Sequence, residues 1–279
     1  MWWVMAASVQ GASHQRANKP NQDAVGFLPL SGLEETIVAA VADGHGSAKA
    51  FRSKTGSALA VNNAIEHLVA QVRTIGPDTS LTTVRRLAEE QWPRNLLHGW
   101  RKAVEDDWLS TPVTDVEKQT LDAANTIPSS ECDFAVYGTT LLACVLTPRF
   151  LVFLQLGDGD ILVVSADGVV SRPLPHDERL FANETTSLGS ARAWADWRTG
   201  FYALDPEKSQ LPALIMLSTD GYANSFRDDA GFLQVPLDLL ASIRLHGRDS
   251  VAQELSRWLT EATVGGSGDD VTVCLIGTC

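Results

Sequence analysis

Short apolar runs that stop at an aspartate beside a glycine constrain this chain more than any other feature. Thr36 to Ala42 (TIVAAVA) leads into Asp43-Gly44, Phe150 to Leu156 (FLVFLQL) into Gly157-Asp158-Gly159, and Ala213 to Thr219 (ALIMLST) into Asp220-Gly221. Each run is short and carries β-branched or aromatic residues, which reads as a buried strand. Near the C-terminus the order reverses. Gly265 to Gly268 forms a flexible loop, and Asp269-Asp270 then opens a strand over Val271 to Ile276. Four Asp-Gly pairs occur where chance pairing of 21 Asp with 21 Gly gives roughly 1.6. Asp167-Gly168 reads as a plain hairpin turn between Ile161 to Ser165 and Val169 to Ser171. The other three pairs, with Asp269, gather carboxylates at strand ends. Like charges so placed repel unless cations lie among them, and hard oxygen ligands on loops suit magnesium or manganese. A neighbouring glycine lets the backbone approach closely enough for a main-chain carbonyl to coordinate as well.

Charge and cysteine usage narrow the partners. With 22 Lys and Arg against 34 Asp and Glu, the formal charge is −12. The excess is aspartate, 21 against 13 glutamates, which favours turns, caps and ligand positions over solvated helix faces. A chain this acidic is repelled by nucleic acid and by anionic membranes, so neither is expected as a partner. No apolar run reaches the roughly 18 residues that a membrane span needs. Met1 to Ser8 lacks the basic start of a signal peptide. Cys132, Cys144, Cys274 and Cys279 show neither metal-ligand spacing nor a dense disulfide framework, which fits a reducing cytoplasm.

The pattern along the chain predicts one α+β unit over residues 1–279 rather than alternating βαβ units. Val4 to Phe27 reads as a strand, a polar loop from His14 to Asn21, and a second strand from about Asp23. Helix is expected from Ser47 to about Val72, from Leu81 to about Gln91 and, after an interruption at Pro93, from Asn95 to Leu109. Trp100, Val104 and Trp108 stand at i, i+4 and i+8, a core stripe. Residues 110–132 read as a surface loop, and Val136 to Leu146, which contains Gly138-Thr139-Thr140, as a central strand. Hairpins are expected around Asp158 and Asp167. Arg172 to Gly200 lacks a steady period and reads as an excursion able to cover a site. A loop is expected from Asn224 to Gly231, followed by helices near Pro236 to Leu245 and Asp249 to Thr263.

Taken in order, Asn21-Gln22-Asp23, Asp43-Gly44-His45-Gly46, Gly138-Thr139-Thr140, Gly157-Asp158-Gly159-Asp160, Ser218-Thr219-Asp220-Gly221 and Gly268-Asp269-Asp270 resemble the metal-dependent Ser/Thr protein phosphatases of the type 2C class, in their compact bacterial form. The resemblance runs from about Ser8 to Ile276. It implies a four-layer α-β-β-α sandwich, two antiparallel sheets flanked by helices, with a metal cluster in a cleft at one end. Position by position, Asp43 resembles the carboxylate bridging two metals, with the Gly44 carbonyl as a further ligand. Asp220 and Asp269 resemble the remaining ligands of the first metal, Asp23 the acidic residue near the second, and Asp158 a ligand of a weaker third. His45 resembles the proposed general acid. Two Mn2+ or Mg2+ ions are thereby implied, and a phosphorylated protein substrate whose modification a Ser/Thr kinase installs. A monomer is expected.

Three positions depart from the family's pattern. Gln22 stands where glutamate is frequent, and Asn224 where a third-metal aspartate is frequent. The phosphate-gripping arginine would fall near Asn18. Arg16 is preferred to Lys19 there because a guanidinium fork takes two oxygens. Gln22 and Asn224 leave a second reading open: a catalytically weak pseudo-phosphatase serving as a regulatory binding module. A two-metal nuclease is opposed by the acidic balance and the lack of a basic stripe.

Overall fold

The computed structural model describes residues 1–115, 117, 132–174, 185–204 and 211–278. Its strands form two sheets, antiparallel throughout. One runs β3 (Leu33–Glu34), β1 (Trp2–Val9), β11 (Val271–Thr278), β10 (Leu214–Ser218), β7 (Asp160–Val164) and β8 (Val170–Ser171). The other runs β2 (Ala24–Leu28), β4 (Ile37–Ala42), β5 (Leu141–Leu146), β6 (Phe150–Leu156) and β9 (Arg198–Ala203).

Continuous apolar runs arise because the central strands are covered on both faces. Along β4, Ile37, Ala39 and Val41 point between the sheets, where they meet Leu142, Cys144, Ile215, Leu217 and Cys274. Val38, Ala40 and Ala42 point the other way, into a cluster shared with the helices α2 (Ser53–Thr74) and α4 (Trp92–Ser110). The first sheet packs its outer face on α5 (Asp229–His246) and α6 (Arg248–Gly265), through Phe232, Leu239, Leu255 and Leu259. Three apolar interfaces thus separate four layers, the architecture expected from the resemblance. Each fully buried Leu, Val or Phe contributes roughly 1.5–3 kcal/mol, so these interfaces hold the fold.

Trp100 and Val104 are fully buried and Trp108 packs beside them, as the stripe predicts. Asp167-Gly168 does turn the β7–β8 hairpin. Among the described residues, no helix is long and apolar enough to cross a membrane.

Several element readings are corrected. Asp158-Gly159 is not a hairpin turn: β6 pairs with β5 and β9, while β7 pairs with β10 and β8, so the segment crosses from one sheet to the other. The polar stretch after β1 contains a short helix, α1 (Ala12–Arg16). The α2 helix starts at Ser53 rather than Ser47, after a tight turn over Ala48–Ala50. Pro93 causes no break, because it sits in the first turn of α4, where its missing N–H has no partner to lose. The helix α3 (Leu81–Arg86) reaches α4 through a wide turn at Leu87–Gln91. Phe134–Tyr137 is a helical turn, and strand begins only at Leu141. Asp228 caps α5 by accepting from the Gly231 N–H at 2.9 Å, which starts that helix well before Pro236. Most of the 110–132 loop and residues 175–184 of the excursion lie outside the described residues.

Candidate metal centre

The strand-end aspartates converge on a cleft of about 1210 Å³. Among the described residues, its walls carry Asp43, Asp158, Asp160, Asp220, Asp228, Asp229 and Asp269, and its cationic side chains are Lys49 and Arg172, joined by His14 and His45. Arg172 is already engaged, its Nε 2.8 Å from Asp160 Oδ1 and its Nη2 2.5 Å from Asp229 Oδ1. Lys49 is exposed and has no ion-pair partner among the described residues. Such a wall repels a phosphate dianion unless further cations are bound.

Asp43 ends β4, and the Gly138-Thr139-Thr140 stretch fixes its backbone. Its carbonyl accepts from Thr139 Oγ1 at 2.7 Å and from the Thr140 N–H at 2.8 Å. Its N–H donates to Thr140 Oγ1 at 2.9 Å. The next residues continue the clamp: Gly44 N–H donates to the Gln22 carbonyl at 3.2 Å and His45 N–H to the Gly138 carbonyl at 3.0 Å. Asp220 opens the turn that follows β10. Gly221 lets that turn lie against β11, since a Cβ there would stand 2.1 Å from the Asp270 carbonyl oxygen. Asn224 donates to Asp220 Oδ2 at 3.0 Å, so this departure from the family pattern orients a carboxylate.

Asp43 and Asp220 both line the cleft, close enough for each to act on the other's carboxyl. Burial drives the Asp43 pKa well above its ordinary range, and the charges of Asp23, Asp220 and Asp269 add to the shift. Asp220 is raised too, first by burial and then by the charges of Asp158 and Asp269. Asp23 is pushed up to about 8, chiefly by burial, although Thr272 and Thr219 hydrogen bonds pull the other way. Thr219 Oγ1 donates to Asp23 Oδ2 at 2.7 Å, while the buried Asp23 Oδ1 has no partner among the described residues. Neighbouring carboxyls, each held toward its neutral form, together with an orphaned buried carboxylate oxygen, form a donor set that fits hard divalent cations.

The predicted residues are thus placed unevenly. Asp43, Gly44, His45, Asp158, Asp220 and Asp269 all line the cleft, while Asp23 is half-buried, lines a smaller neighbouring pocket, and acts on Asp43 through its charge. Arg16 is not brought there. It is exposed at the end of α1 and is not among the residues lining the cleft, whereas Lys49 is. Burial lowers the His45 pKa below 6.5, against the opposing charge of Asp158.

Sequence reasoning assigned no role in the site to Asp270 or to His14. Asp270 is 3% exposed, and its two oxygens accept from Gly11 N–H at 2.6 Å and Gln22 N–H at 2.7 Å. Among the described residues, His14, Asp269 and Asp270 are the group of three whose ligand atoms all lie within 4.8 Å of one another. The adjacency of Asp270 to Asp269 was the available signal for it. Nothing in the sequence marks His14, because its neighbours come from 255 or more residues away.

With chelator present, the protein is expected to melt higher at pH 6.5 than at pH 8.5, by roughly 2–8 °C, or about 1–2 kcal/mol. A carboxyl whose pKa rises on folding contributes stability below its unfolded value and loses it as pH climbs through the folded one. For Asp23 that window runs from 3.8 to about 8, and Asp43 and Asp220 act in the same direction. The lowered Glu117, at about 2, titrates well below this range. Calorimetric scans at both pH values check it, and equal or reversed melting temperatures refute it.

The family model for protein phosphatase 2C matches residues 10–260. The chain belongs to that family, and its class is that of the serine/threonine phosphatases. No curated protein sequence matches it. Among solved structures, the serine/threonine phosphatase Stp1 from Staphylococcus aureus is 14% identical, with 100% of this chain and 96% of that one covered and a TM-score of 0.59. PppA, a regulatory component of T6SS in Pseudomonas aeruginosa, is 18% identical, with 99% and 97% covered and a TM-score of 0.58. The catalytic domain of the phosphatase PstP, solved with two manganese ions, is 16% identical, with 99% and 97% covered and a TM-score of 0.54.

Proposed function

We propose that this chain hydrolyses phosphoserine and phosphothreonine monoesters on proteins, using two divalent cations in the acidic cleft. The convergence of Asp43, Asp220 and Asp269 on one cleft wall carries the reading, since neighbouring carboxylates are favourable with all of them charged only around a cation. Asp43, Asp220 and Asp269 would hold one ion, and Asp43, the Gly44 carbonyl and Asp23 the other. Asp158 is the remaining candidate for a weaker third, because Asn224 brings no charge. Bound Mn2+ or Mg2+ supplies an activated water and charge neutralisation of the phosphoryl group.

The rest falls to the chain's own side chains. The Thr139 and Thr140 clamp keeps the Asp43 carboxylate in place, and Asn224 does so for Asp220. Lys49, exposed at the cleft wall, is the group we assign to the phosphoryl oxygens in place of Arg16. His45 sits where it can hold a proton for the leaving alkoxide. An imidazole biased toward neutrality gains its proton when a phosphate dianion arrives, because that charge favours the imidazolium. We read the 172–200 excursion as a flap over substrate up to Arg198, where β9 begins; in its described part Leu188 N–H donates to the Thr139 carbonyl at 2.9 Å, tying the segment to the clamp on Asp43. We further read the chain as one phosphatase unit over 1–279, monomeric and cytoplasmic, opposing a Ser/Thr kinase. Cys132, Cys144 and Cys274 are free thiols, in keeping with that compartment.

The assay is hydrolysis of p-nitrophenyl phosphate or a phosphothreonine peptide with Mn2+. The wild-type chain turns over, and Lys49→Met raises KM about tenfold with less effect on kcat. A protein that binds Mn2+ yet hydrolyses neither compound is a regulatory binding module instead.

A further inference from the structure

The histidine at the cleft wall has an arrangement of its own. His14 Nδ1 lies 2.9 Å from Asp270 Oδ2, and Nε2 lies 3.5 Å from Asp269 Oδ1. The two contacts differ in kind. Asp270 is buried and held by two backbone N–H groups, so its carboxylate is a fixed negative wall behind the ring. Its contact with Nδ1 is close, although the N–H is not aligned as in a regular hydrogen bond. Asp269 is on the solvent side, its side chain 52% exposed, against 13% for His14. The Nε2 to Oδ1 separation exceeds hydrogen-bond reach. It leaves a place for one cation between the two atoms, whose bonds of about 2.1 Å would draw neighbouring donors to roughly 3.0–3.4 Å from each other. Asp269 also acts through its charge on Asp43 and Asp220, which places His14 beside the same acidic cluster.

We propose that His14 supplies a nitrogen ligand, through Nε2, to the cation held by Asp269, with Asp270 as the buried carboxylate that orients the imidazole from behind. A carboxylate on one ring nitrogen and a metal on the other is the arrangement in which histidine ligands are regularly held. The proposal rests on the metal-dependent reading of the cleft but adds to it a donor of a different element. Its chemical consequence is selectivity. Carboxylate and carbonyl oxygens accept magnesium readily, whereas an imidazole donor shifts a site toward manganese and the later transition metals.

The test is electron spin-echo spectroscopy on the full chain loaded with Mn2+. A directly bound imidazole nitrogen is expected to modulate the echo, to change its pattern in protein grown on 15N-histidine, and to vanish in His14→Gln while persisting in His45→Gln. Titration calorimetry is expected to show Mn2+ affinity reduced roughly 10–100-fold in His14→Gln and in Asp270→Asn, and Mg2+ affinity reduced less. Should His14→Gln fail to fold by circular dichroism, the labelled wild type and His45→Gln decide the matter alone. Bound Mn2+ without nitrogen modulation overturns this proposal and leaves the phosphatase reading intact, as does modulation lost in His45→Gln. A chain that binds no Mn2+ overturns both.

Discussion

Asp43→Asn is expected to lower kcat on a phosphothreonine peptide by about a thousand-fold or more, or about 4 kcal/mol of transition-state stabilisation. The same substitution is expected to raise the melting temperature measured in chelator. The two effects have opposite signs because one carboxylate serves two states of the cleft. With cations bound, Asp43 is proposed to bridge them, and an amide brings an oxygen but no charge. Without them, folding must either protonate Asp43 against its ordinary pKa or keep its charge beside Asp23, Asp220 and Asp269, and an amide avoids both costs. Melting curves with and without Mn2+ separate the cases. Wild type should be stabilised strongly by Mn2+ and Asp43→Asn weakly, since a ligand stabilises only in proportion to its affinity for the folded chain. Activity retained in Asp43→Asn, or a lower melting temperature in chelator, would refute the account.

Gly56→Ala is expected to destabilise the fold by about 3 kcal/mol or more and to lower the melting temperature by roughly 6–12 °C. Gly56 lies in the first turns of α2, where a Cβ would stand 1.9 Å from the Tyr137 carbonyl oxygen. No rotamer relieves a clash with backbone, so α2 or the Phe134–Tyr137 turn must shift. Trp100, fully buried in α4, donates from Nε1 to the Gly56 carbonyl at 3.0 Å, which ties a second helix to the same point. The displaced turn runs straight into Gly138-Thr139-Thr140, so kcat should fall as well as stability. Thermal scans and the phosphopeptide assay check both, and a melting temperature within a degree or two of wild type would show that the packing yields.

Much of the architecture was legible beforehand because it is written in local chemistry. Runs such as TIVAAVA and ALIMLST are apolar on both alternating faces, and only a strand covered from two sides buries them fully. Asp-Gly pairs mark sharp turns by the φ/ψ freedom of glycine and the capping of aspartate, and both are properties of neighbouring residues. The errors came where a local signal had two structural meanings. Asp158-Gly159 has the chemistry of a hairpin, but partner choice among strands sent β7 to the other sheet. Proline signals a helix boundary only where an internal hydrogen bond would be lost, and here neither ends its helix: Pro93 lies in the first turn of α4 and Pro236 inside α5.

Local chemistry therefore sufficed for the buried strands and the aspartates at their ends, since burial pattern and turn chemistry act over a few residues, while the four layers and the cleft came from the resemblance of the ordered motifs to a known family. Which groups meet inside the cleft was settled only by packing. Asp270 is buried against Gly11 and Gln22, some 250 positions away, Lys49 stands at the wall where Arg16 was expected, and His14 lies between two carboxylates of β11's leading edge. Each of these is a distance between segments remote along the chain. Such distances are set by how the two sheets stack and where loops cross them, a balance over the whole core that no short window of residues contains.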